Sequence, residues 1–244
     1  MSFSYTGLAF LLGSFAVGLL SYRFFQYWQR EKTIISRLFL YMAGVFTLFM
    51  LITAVSGLFF AQNTTILKLT VIFAAFIQAF AFAVIGYIIF YLKFPRVSPW
   101  LGVIPIFLLG LVSTVLTIIL PFNPYLEPSG GINWDNQPVA DTIRFFLFLI
   151  SFLPLSFIMV QQSRISKDPA VKRRAIGISI LLLFGIVTGL LDFFLENMLK
   201  LGALGSDVGM AVISVVIFVT VFFTQKPPKK EQKISSSSSE RIKW

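Results

Sequence analysis

Seven apolar runs, each long enough to cross a bilayer, alternate with short basic stretches, and four of those stretches hold 17 of the 20 Lys and Arg residues. This pattern constrains the fold more than any motif does. Hydrocarbon offers backbone N–H and C=O groups no partner, so a spanning run of about 20 apolar residues must satisfy itself as a helix. Charged residues make up 12% of the chain, against about 25% in an ordinary soluble domain. So much apolar surface needs a lipid-facing exterior. The predicted fold is all-α, a polytopic bundle of seven transmembrane helices.

The predicted spans run from Tyr5 to Trp28, Leu38 to Ala61, Ile66 to Leu92, Trp100 to Leu120, Thr142 to Gln161, Ala175 to Leu199 and Ser206 to Thr224. Residues 1–225 form the membrane domain. Residues 226–244, with Pro227, Pro228, a basic cluster and Ser235 to Ser239, read as a disordered tail.

Charge sets the expected orientation. The 1–2, 3–4 and 5–6 loops and the tail are basic, whereas the opposite side has only Lys68, Arg144 and Lys200. The basic side is expected in the cytoplasm, with the N-terminus outside, in a multi-pass protein of the cell membrane. The net charge of +10 then reflects topology and attraction to anionic lipid headgroups, not nucleic acid. No basic residue precedes the first apolar run, so it does not read as a signal peptide.

The chain has no Cys and no His. That excludes disulfides, thiolate metal sites, His-ligated zinc or haem, and a His general base. No metal, no cofactor and no enzymatic activity are expected. The last span lacks a Schiff-base lysine, and span 3 ends Tyr91-Leu92-Lys93, without a receptor-type acidic-Arg-aromatic triplet. Spans 1–3 and 5–7 share no recognisable motif, unlike repeat-built transporters.

Ionisable and amide groups inside spans are the functional suspects. Asp192 and Glu196 lie four residues apart on one face of span 6, continued inward by Thr188 and Gly185. Asp192 is eight residues from Lys200, roughly 12 Å along the axis, in the outer third. Lys68 and Arg144 sit at similar depth near the outer starts of spans 3 and 5, and Asp207 begins span 7. Together they suggest an outward-facing polar vestibule; pairing of interfacial charges with one another is the plainer alternative. Gln78 lies mid-span among Phe76, Phe80 and Phe82, suited to an interhelical hydrogen bond or a ligand contact. Gly57, Gly177, Gly185 and Gly189 would allow close helix packing. The outer segment from Pro121 to Asp141, about 20 residues expected to lack secondary structure, reads as a lid or a connector.

The 5–6 segment reads Ser163-Arg164-Ile165-Ser166-Lys167-Asp168-Pro169-Ala170-Val171-Lys172-Arg173-Arg174 and enters span 6 directly. With seven spans and an outer N-terminus, it resembles the seven-helix sensor regions at the N-termini of bacterial histidine kinases. That family continues into a cytoplasmic output domain, whereas this chain ends about 20 residues after span 7. The resemblance therefore implies a stand-alone sensor signalling through a partner, and it transfers no ligand residues. The expected function is a sensor or receptor-like module that binds a small or lipophilic ligand from outside, with a protein partner at the 5–6 loop and tail. A small transporter or channel with Asp192 as coupling carboxylate, and an accessory subunit of a larger membrane complex, are the alternatives.

Overall fold

The structure, a computed structural model, describes residues 4–197 and 202–225; side chains at 192, 195–197, 202 and 204–206 also fall outside the description. Two of the predicted site residues, Asp192 and Glu196, are among those side chains. Lys200 and the tail from Lys226 lie outside the described residues altogether. Seven helices are long and apolar enough to cross a membrane. They are α1 Tyr5–Glu31, α2 Ile34–Phe59, α3 Thr64–Lys93, α4 Trp100–Ile119, α5 Pro138–Ile165, α6 Pro169–Asn197 and α7 Gly202–Thr224. The chain is an all-α, polytopic membrane protein.

Local chemistry sets the helix ends. Ser4, Thr33 and Asn63 each cap a helix, their side-chain oxygens accepting the N–H of Gly7, Ser36 and Ile66. The helices extend past the apolar runs, most of all at α5 and α6. α5 starts at Pro138 and α6 at Pro169, where a missing N–H costs nothing because no intrahelical partner exists. Asp168 then accepts the Ala170 N–H at 2.8 Å. The expected basic 5–6 loop is therefore mostly helix, with residues 166–168 as the turn.

α1 packs on α2, α2 on α3, α3 on α5, α5 on α6, α6 on α7 and α7 on α1. These six helices close a ring. α4 stands outside it, against α3 and α5. Two seams are glycine-tight. A Cβ on Gly57 of α2 would lie 2.8 Å from the Gly7 Cα of α1, and one on Gly86 of α3 would lie 2.7 Å from the Gly102 carbonyl oxygen of α4. Only glycine lets these backbones approach so closely. Gly189 of α6 does something else, making room for the Phe148 ring of α5, while a Cβ on Gly185 would meet Phe152 only at ordinary contact distance. Phe15, Ile119, Phe157 and Phe222 stand exposed on outward faces, where acyl chains would cover them.

The segment between α4 and α5, expected to be irregular, holds a two-stranded antiparallel hairpin of β1 Tyr125–Leu126 and β2 Ile132–Asn133. Gly130 at φ 89° makes the turn, donating its N–H to the Glu127 carbonyl, while the Glu127 N–H bonds to Gly131 O at 2.8 Å. The hairpin is strapped to the bundle. The Tyr5 N–H bonds to Gly130 O at 3.0 Å, and the Ile132 N–H to Thr6 Oγ1 at 2.8 Å. Thr6 Oγ1 in turn donates to Asp207 of α7 at 2.7 Å. Ile132 is fully buried against Ala61 and Leu67. The bundle thus has a hairpin end and a basic end. Among the described residues, only Lys68 and Arg144 of the Lys and Arg side chains sit at the hairpin end.

Candidate functional site

A partly open cavity of about 380 Å³, within the range of small-molecule sites, runs between the six ring helices. Every ring helix lines it, and so does the segment after the hairpin, through Trp134 and Asn136. α4 contributes nothing to the wall. At mid-depth the wall is aromatic. Phe82 of α3 meets Phe46 of α2 and Phe148 and Phe152 of α5, centroids 6.3–6.4 Å apart, mostly edge to face. Phe145 and Phe193 stack at 4.3 Å where α5 passes α6.

The lining is sorted along the bundle axis. Its polar side chains Thr53, Thr70, Asn136, Asp141, Arg144 and Thr188 lie in the half toward the hairpin, and Gln78 sits at mid-depth. The half toward the basic end is apolar, with Val17, Leu20, Phe24, Met42, Ile178 and Ile217. Several polar groups are already satisfied. Thr53 and Thr188 donate back to the carbonyls of Phe49 and Phe184. Thr70 bonds Ser56 Oγ at 2.8 Å, joining α3 to α2.

Two groups are not satisfied. Gln78 makes no side-chain hydrogen bond among the described residues, although its amide lines the cavity. Arg144 is held by two long contacts, Asn136 Oδ1 at 3.4 Å and Asp141 Oδ1 at 3.5 Å, and its Nε is buried with no acceptor. Good guanidinium–carboxylate contacts are about 2.7–2.9 Å, so this fork is under-used. Gly110 of α4 sits against Ala79 of α3 and near Leu147 of α5. That puts Gln78 about two residues deeper than Arg144, ~3 Å along the axis.

The structure therefore brings three of the predicted site residues, Gln78, Arg144 and Thr188, to one cavity. Lys68 stands elsewhere, its ammonium 5.9 Å from the Phe122 ring. Asp207 belongs to the hairpin strap. The Asp192 and Glu196 side chains, the span 6 part of the predicted vestibule, are outside the described residues. Sequence reasoning missed Thr53, Thr70 and Asn136, which in sequence look like ordinary span and loop residues. Among the described residues no cluster of three or more His, Cys, Asp or Glu could hold a metal.

A second cluster closes the opposite end. Arg174 at the start of α6 reaches across to α1, its guanidinium 3.9 Å over the Tyr27 ring and 2.6 Å from Glu31. The Gln225 amide, just past α7, donates to the Arg174 carbonyl at 3.3 Å. Tyr27 lies three residues beyond Phe24, the last α1 residue in the cavity wall. This latch ties together two ring helices that α7 separates.

The chain matches no family model, no curated protein and no solved structure.

Proposed function

We propose that this chain is a ligand-binding sensor or receptor-like module of the cell membrane. A small or lipophilic ligand enters from the hairpin end, which faces outside, and a helix shift passes to the basic end, which faces the cytoplasm. The observation that carries this reading is the closed ring of six helices around a cavity whose polar groups run from one end to mid-depth, with an apolar floor beyond. A sensor needs a site at one face and a movable contact at the other. The Arg174–Tyr27–Glu31 latch, one turn below the cavity floor, meets the second need. A ligand that spreads α1 from α6 would strain it. The positive-inside distribution supports the orientation. The basic helix starts around Lys172 to Arg174 offer a face to anionic lipid or to a signalling partner.

Two experiments test it. The chain has no native Cys, so single cysteines report topology cleanly. Ser129→Cys should react with an impermeant maleimide in intact cells, and Lys167→Cys only after permeabilisation; the reverse pattern overturns the orientation. Native mass spectrometry of the protein purified in mild detergent should show a bound small molecule that is lost in Gly185→Leu, which fills the cavity. A stoichiometric protein partner with no small molecule would instead favour an accessory subunit. Proton-coupled uptake abolished by Asp192→Asn would favour a transporter.

A further inference from the structure

The ligand-binding reading says nothing of the ligand's chemistry, but the cavity wall does. Resting on that reading, we infer that the cavity takes a single-chain amphiphile bearing one carboxylate. Its head lies at the level of Arg144 and Gln78, and its hydrocarbon tail points toward the basic end.

Three observations converge. First, polarity is segregated: the hairpin half of the cavity offers amide, hydroxyl and guanidinium groups, and the other half is hydrocarbon and aromatic. A uniformly polar solute would leave its far end unpaired, and a pure hydrocarbon would leave the near groups unpaired. Second, the two polar groups without adequate partners are complementary to a carboxylate. Arg144 carries Nε and Nη2 on one edge of its fork; Nε is buried without an acceptor, and Nη2 has only contacts of 3.4 and 3.5 Å. That edge is the one a carboxylate accepts side-on. Small rotations of a long side chain held this loosely would turn it to the ligand. Gln78, about two residues deeper, has an amide N–H to give the same head. Third, charge and size limit the alternatives. Asp141 already offsets part of the guanidinium charge, so a single negative charge is matched better than a phosphomonoester carrying about −1.5 to −2. The lining on α1 runs from Phe10 to Phe24, about 21 Å, and the volume suits one chain rather than two. The same carboxylate chemistry could arrive as a free fatty acid or as a carboxylate-tailed metabolite.

The test is saturable binding of radiolabelled dodecanoate to the full chain in phospholipid nanodiscs, with empty discs subtracted. Dodecanol and dodecyl phosphate serve as comparison probes, and a short dicarboxylate as competitor distinguishes the metabolite source. The expected result is one dodecanoate per chain, with dodecanol at least tenfold weaker. Arg144→Gln should weaken dodecanoate about 10- to 100-fold and dodecanol little, as expected for a charge-assisted pair. Gln78→Leu, which keeps volume, should weaken it about 3- to 10-fold. Both variants should elute and melt as the parent does, and Arg144→Lys, which keeps the charge without the fork, should recover only part of the loss. Equal binding of dodecanoate and dodecanol, abolished by Gly185→Leu and unmoved by Arg144→Gln, overturns the carboxylate and leaves the ligand site standing. Preference for dodecyl phosphate overturns it likewise. No saturable binding of any probe, with no co-purified small molecule, overturns the ligand-binding reading as well.

Discussion

The two ends of the bundle are held together differently. At the hairpin end, α1, α2, α7 and the hairpin meet through buried contacts: the Gly7–Gly57 backbone approach, the Thr6–Asp207 hydrogen bond and the fully buried Ile132. At the basic end, α1 and α6 meet through Arg174, Tyr27 and Glu31, with the Arg174 and Glu31 side chains 23% and 37% exposed. The first kind of contact is dry, short-ranged and costly to break. The second is wet, screened by salt and cheap to rearrange. A receptor that senses at one face and signals at the other would place its rigid and adjustable parts in this order.

The contrast can be broken most forcefully at the glycine seam. Gly57→Leu forces α2 away from α1 and should abolish folded protein in fluorescence-detected size exclusion, because overpacking of about 1–3 kcal/mol or more adds to a displaced backbone. Survival of a monodisperse peak would mean the hairpin end is softer than its geometry implies. Next comes Thr6→Val, which leaves the Ile132 N–H without its acceptor. A cost of about 1–3 kcal/mol is expected, seen as a lower melting temperature and faster proteolysis between Glu127 and Gly131. At the basic end, Arg174→Gln should cost about 1 kcal/mol or less. Yet it should widen the α1–α6 distance read by double electron–electron resonance between spin labels at positions 30 and 172. A large drop in stability with no change in distance would make the latch structural. The smallest effect belongs to Lys93→Ala, which removes an exposed hydrogen bond to Gln161 at 3.0 Å. Its melting temperature should match the parent's to within the scatter of replicate scans.

The same contrast explains what was legible in the sequence. The seven helices could be read directly, because lipid forces each long apolar run to close its own hydrogen bonds. Gln78 and Arg144 stood out for the same reason, as polar groups in apolar runs. The ring order could not be read, since apolar residues that face lipid and apolar residues that face a cavity look alike: Phe80 points outward while Phe82 lines the cavity. The hairpin was missed because its strap joins Thr6, Ile132 and Asp207, more than 70 residues apart at each step. The latch was missed for a related reason. Arg174 read as one more cytoplasmic positive charge, and nothing local announces that it crosses to Tyr27, 147 positions earlier in the chain.

The place of α4 outside the ring has a consequence for access. Along the α3–α5 seam the enclosure is two helices thick, with Gly86 and Gly102 sealing the outer layer to the inner one. Elsewhere a single helix separates the interior from the acyl chains. A lipophilic molecule diffusing in the bilayer therefore meets a double wall at that seam and a single one elsewhere. Sideways entry from the bilayer is closed off where α4 covers α3 and α5.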